Sequence, residues 1–178
     1  MESSPKLAST CANVAAVLFA ILIILFNSIP NTVFPIAVVA VLFHVVLFPV
    51  VAFLPSTNWA KAAGYGWLIL DIASNIMQLN GVDQQITSAL RYGGHIPAII
   101  WIIVVSLRCN TAIMIVGILQ ALIMGSYSFV APWVPMWYLY PAMVLLIVWL
   151  LLIGRFVSRP ATFASSSAWP MQHSRNKN

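Results

Sequence analysis

A chain of 178 residues that is 62% hydrophobic and 6% charged is not a soluble domain, whose usage is nearer half apolar and about a quarter charged. Its net charge of +5 comes without any basic patch interleaved with aromatics, which disfavours nucleic acid as a partner. The apolar residues fall in long unbroken runs, so the pattern predicts an all-α integral membrane protein with several spans and the lipid bilayer as its solvent.

Met1 to Thr10 is a short polar leader. Cys11 to Ile29 reads as the first span, with Asn13 as the polar group at its start. Asn27-Ser28-Ile29-Pro30 is a poor signal-peptidase site, so the segment is expected to stay as a helix. The second span covers about Val33 to Leu54. Pro35 sits in its first turn, where proline is tolerated, while Pro49 lies inside and releases the carbonyl of Val45. His44 is at its midpoint. A loop, Pro55 to Lys61, leads to the third span at about Ala62 to Leu79.

Asn80 to Tyr92 reads as a longer polar connection carrying Asp83, Gln84, Gln85 and Arg91. The fourth span is Gly93 to Leu107, short unless Ala89 to Tyr92 extends it. The fifth is Thr111 to Val130, with Gln120 at its centre. Pro132 to Pro141 is rich in aromatics and proline and suits the headgroup level. The sixth span is about Met136 to Gly154, and Arg155 to Asn178 is a basic, serine-rich tail expected to be disordered.

Six spans put both termini on one side, and the charges choose which. With the termini cytoplasmic, Lys6, Lys61, Arg108, Arg155, Arg159, Arg175 and Lys177 lie inside and only Arg91 lies outside. That is a strong positive-inside bias in short loops. Cys11 and Cys109 both fall near the cytoplasmic face, where a disulfide is disfavoured, and two cysteines without nearby histidines make no zinc site.

The third span carries the chemistry. At about 100° per residue, Gly64, Trp67, Asp71, Ser74, Asn75 and Gln78 fall within one arc of roughly 100°. A carboxylate at the bilayer centre costs at least a few kcal/mol, so this stripe must face other helices or water. His44 and Gln120 match the depth of Asp71, which predicts that spans two, three and five line an interior site. Spans one and six, with nothing polar at that depth, are expected on the lipid side or at a partner interface. Two readings of the stripe stand: an aspartate–histidine pair that handles a proton or a ligand, or a protonated Asp71 that joins helices by hydrogen bonds. Trp67 reads either as the floor of a cavity or as core.

Gly117-x-x-x-Ala121-x-x-x-Gly125 and Ala12-x-x-x-Ala16-x-x-x-Ala20 are small-residue runs that let helix backbones approach, within the bundle or between copies. Arg91, His95, Trp133 and Trp137 are candidates for an outer mouth, the alternative being an interfacial aromatic belt. Serine-hydrolase and zinc-protease motifs are missing. His44 and His95 lie at different depths, which disfavours a bis-histidine haem, and Asp71 is the only acid inside a span. No cofactor or metal is called for.

Six spans, this length and cytoplasmic termini are similar to the substrate-binding subunits of energy-coupling-factor vitamin transporters. The alanine run of the first span resembles that family's coupling surface. The likeness implies a membrane-embedded solute binder and assigns no residue. The expected function is binding or transport of a small solute or protons at Asp71. An accessory subunit, with a membrane protein partner or a second copy against the stripe, is the alternative; a membrane enzyme is weaker for want of a second catalytic group.

Overall fold

The computed structural model describes residues 3–29 and 32–158, so all of the predicted tail beyond residue 158 lies outside the described residues. Within them the chain is helical throughout: α1 (Ser3–Ser28), α2 (Val33–Phe53), α3 (Asn58–Leu79), α4 (Gln84–Ser106), α5 (Thr111–Val130), a 3-10 turn (Met136–Leu139) and α6 (Tyr140–Val157). Five of these segments are long and apolar enough to cross a membrane. The exception is α3, which has 22 residues but carries the polar stripe.

Each helix packs on its neighbours in the chain, and α6 returns to α1, so the six form a closed ring with no diagonal backbone contact. The seam between first and last helices rests on small residues. Ala8, Ala12, Ala15 and Ala16 are buried along α1, and a Cβ on Gly154 of α6 would meet Asn13 Oδ1 at 2.6 Å. One end of the seam is pinned by Ser9 Oγ donating to the Gly154 carbonyl (2.7 Å), the other by Tyr140 Oη donating to Asn27 Oδ1 (3.2 Å). Large apolar side chains such as Val17, Ile24, Phe34, Ile69, Leu122, Phe129 and Val144 stand outward all round the ring, as a lipid-facing surface requires.

The connection between α3 and α4 is much tighter than the sequence suggests. Gly81 takes φ 77°, where a glycine is at ease, and its amide donates to the Gln78 carbonyl while that of Val82 donates to Met77. Asp83 Oδ1 then caps α4 by accepting from the Gln85 amide (2.7 Å). Most of the expected polar loop, Asn80 to Tyr92, is therefore the first two turns of α4. Those turns carry Ser88, Arg91 and Tyr92 to the inside of the ring. Asn110 caps α5 in the same way, accepting from the Ile113 amide.

One end of the ring is plugged. Trp101 of α4 reaches across to Trp149 of α6, edge to face at 5.6 Å, and Trp67 of α3 lies 5.9 Å from Trp101. All three rings are buried. Trp149 Nε1 donates to Ser106 Oγ (2.9 Å) over the backbone of Gly117. The other end has no such filling, and there the ring encloses a cavity.

Candidate binding cavity

The cavity holds about 160 Å³ and is lined by all six helices and the 3-10 turn. A core cavity of that order admits a benzene-sized molecule. Its polar wall comes from α3 and α4, with Asp71 and Asn75 facing Arg91 and His95. Phe19, Phe43, Trp67, Tyr92 and Tyr127 supply aromatic walls, and Gln120 stands on α5.

The deepest polar group is the pair His44–Asp71. His44 Nδ1 lies 2.7 Å from the Ala40 carbonyl, which only accepts, so Nδ1 carries a proton. His44 Nε2 lies 3.0 Å from Asp71 Oδ2, and Trp67 Nε1 donates to that same oxygen at 2.6 Å. A hydrogen bond between Nε2 and Oδ2 needs one proton, on either atom. With it on nitrogen the pair is imidazolium and carboxylate; with it on oxygen both are neutral. In either state the pair has no net charge, which is how a carboxyl only 4% exposed is accommodated at this depth. Phe43 meets the imidazole edge to face at 4.8 Å and Trp67 does so at 5.7 Å, which completes its surround.

Asp71 Oδ1 is different: it is buried and has no hydrogen-bond partner, and the same holds for Gln120 Oε1. Gln120 uses its amide nitrogen on Met124 Sδ (3.4 Å) and is 1% exposed. Gly94 makes room beside Oδ1, since a Cβ there would approach it to 3.2 Å. Two residues lining the cavity thus each keep a buried acceptor oxygen without a donor.

Toward the mouth, Arg91 Nη2 donates to Asn75 Oδ1 (3.1 Å), and Asn75 Nδ2 donates to the Asp71 carbonyl (2.7 Å). Arg91 has no ion-pair partner among the described residues. His95 Nδ1 lies 2.8 Å from Ser128 Oγ, whose own proton goes to the Met124 carbonyl (3.0 Å), so His95 is the donor.

Of the residues the sequence singles out, the structure brings Asp71, Asn75, His44, Gln120, Arg91 and His95 to one cavity, with Trp67 in its wall. Ser74 and Gln78 do not line it. Ser74 Oγ donates to the Thr87 carbonyl and ties α3 to α4, while Gln78 is half-buried one turn beyond Asn75. Trp133 and Trp137 stand out at 79% and 64% exposure and do not line the cavity, whereas Met136 and Leu139 of the same segment do. The expectation for spans one and six is corrected, since Phe19, Leu22 and Phe26 of α1 and Ala142, Met143 and Leu146 of α6 complete the apolar wall. An all-apolar helix face suits a ligand's apolar side as well as it suits lipid, so the lack of polar residues did not separate the two. Ser88 and Tyr92 were missed because they precede the expected start of α4; Tyr127 was missed although it lies seven residues, two helical turns, from Gln120 on the same face of α5, a spacing that could have found it.

Compared with protein-family models, curated proteins and solved structures, the chain matches none, so its own geometry carries the functional reading.

Proposed function

We propose that this is a six-span membrane protein with both termini cytoplasmic that binds or moves a small solute through the cavity at Asp71, with the proton shared by His44 and Asp71 available to couple to it. The observation that carries the reading is that Trp67, Asp71 and Asn75 of the α3 stripe line a cavity within one chain, two of whose lining residues, Asp71 and Gln120, keep a buried oxygen that no protein donor meets. A stripe built for a partner helix would face out of the ring. α3 is counted as the sixth span because it packs between α2 and α4 at comparable length, with its polar face turned inward.

Filling the cavity tests the site. Metabolites that raise the melting temperature of the purified chain are expected to lose that effect in Ala142→Phe, whose ring occupies the cavity from a wall position only 2% exposed. Shifts that survive in Ala142→Phe place binding elsewhere and end the interior-site reading.

The orientation is tested by cysteines at Gln84, Val134 and Ser158. An impermeant maleimide applied to intact cells is expected to modify the first two and leave the third until the membrane is opened. Modification of Ser158→Cys from outside overturns the topology. Cys109 is no substitute reporter, because burial pushes its thiol up to about 12. Its labelling is therefore expected to stay slow on either side of the membrane and to quicken as the pH is raised.

A further inference from the structure

Resting on that reading, the geometry points to the class of solute: a small organic acid with an apolar, ring-sized body and an N–H or O–H donor at the end away from its acid group. Charge comes first. The His44–Asp71 pair is neutral in both of its proton arrangements, so the guanidinium of Arg91 is left as the uncompensated charge of the cavity wall. Asp83, the other described acid, is two helical turns away on α4 and engaged as a cap. The site therefore attracts an anion and repels an amine.

Hydrogen bonding sets the other end. Asp71 Oδ1 and Gln120 Oε1 are buried acceptors waiting for donors, in side chains 4% and 1% exposed. A halide brings no donor and would leave both unpaired. The two ends are spaced by α3 itself: Arg91 is held on Asn75, four residues and about 6 Å along the helix from Asp71. One ring spans that distance. Between the ends the walls are Phe19, Phe43, Tyr127 and Met124, against which an aromatic or aliphatic ring is at home.

The probes are 4-hydroxybenzoate, its neutral isostere 4-hydroxybenzamide, 4-hydroxybenzylamine, benzoate and chloride, titrated calorimetrically against the full chain in lipid nanodiscs. 4-Hydroxybenzoate is expected to bind about tenfold or more tighter than the amide, which lacks the charge, and than benzoate, which lacks the donor. Arg91→Gln, which can still donate to Asn75, is expected to erase the preference for acid over amide while amide affinity holds. Asp71→Asn, which places an amide where the carboxyl group stood, is expected to cut the preference for 4-hydroxybenzoate over benzoate, and Asp71→Asn together with Gln120→Leu to erase it. The inference is overturned if the amide or the amine binds as tightly as the acid, if chloride displaces the acid, or if no probe binds. Binding that is lost in Ala142→Phe but indifferent to charge overturns the acid assignment alone. Binding that survives Ala142→Phe overturns the interior site and this inference together.

Discussion

Asp71→Leu is expected to lower stability by about 3 kcal/mol, and Asp71→Asn by about 1 kcal/mol. Leucine leaves the Trp67 N–H without its acceptor and His44 Nε2 without its proton-sharing partner, both away from water. Asparagine is not silent, because Trp67 and His44 meet the same oxygen. A protonated carboxyl accepts from Trp67 and donates to His44 through that one atom, whereas an amide oxygen only accepts and an amide nitrogen only donates. One of the two bonds is lost, and the fold survives. Chemical denaturation in mixed micelles, with Trp67 and its neighbours as fluorescent reporters, gives the ordering. If Asp71→Leu is as stable as wild type, the pair contributes nothing to the fold and its proton has no structural hold.

Gly117→Ala is expected to cost about 2–3 kcal/mol, at the upper end for overpacking by a single methyl. Its Cβ would fall on Ser106 Oγ and lie 2.6 Å from Trp149 Nε1, so it strikes the hydrogen bond that holds the tryptophan plug. Neither partner has room to retreat, since both are fully buried. Gly125→Ala, eight residues on, meets only the mobile end of Ile99 at 2.8 Å and is expected to cost much less. Adding Ser106→Ala to Gly117→Ala removes one of the clashing atoms, so the double variant is expected to be less destabilised than the sum of the two singles. A Gly117→Ala protein that melts like wild type sinks this account of the plug.

The helices and their order were legible because runs of about twenty apolar residues separated by prolines, asparagines and charges leave few other readings. The inward face of α3 was legible because a polar stripe in an apolar helix has a direction. The start of α4 was not. Gln84, Gln85, Thr87, Ser88 and Arg91 look like a loop when hydropathy is the guide, although Asp83 two residues before Gln85 was a visible cap. That one boundary carried Ser88 and Tyr92 out of the predicted site. The closure of α1 on α6 was also hidden. Alanine runs announce a close contact without naming the partner, and only the folded structure joins Ser9 to Gly154, 145 residues apart in the chain.

The polarity of α3 bears on how the chain enters the bilayer. On its own, a helix carrying Asp71 at its centre faces a penalty of about 2.5–3.5 kcal/mol on insertion. The residue that neutralises the carboxyl, His44, belongs to the helix synthesised just before it, 27 positions earlier. Arg91, which binds Asn75, arrives on the helix just after. On the six-span reading, the third helix is therefore expected to enter the lipid phase as the second half of a hairpin with α2, so that the order of synthesis is also the order in which its polar face is made acceptable.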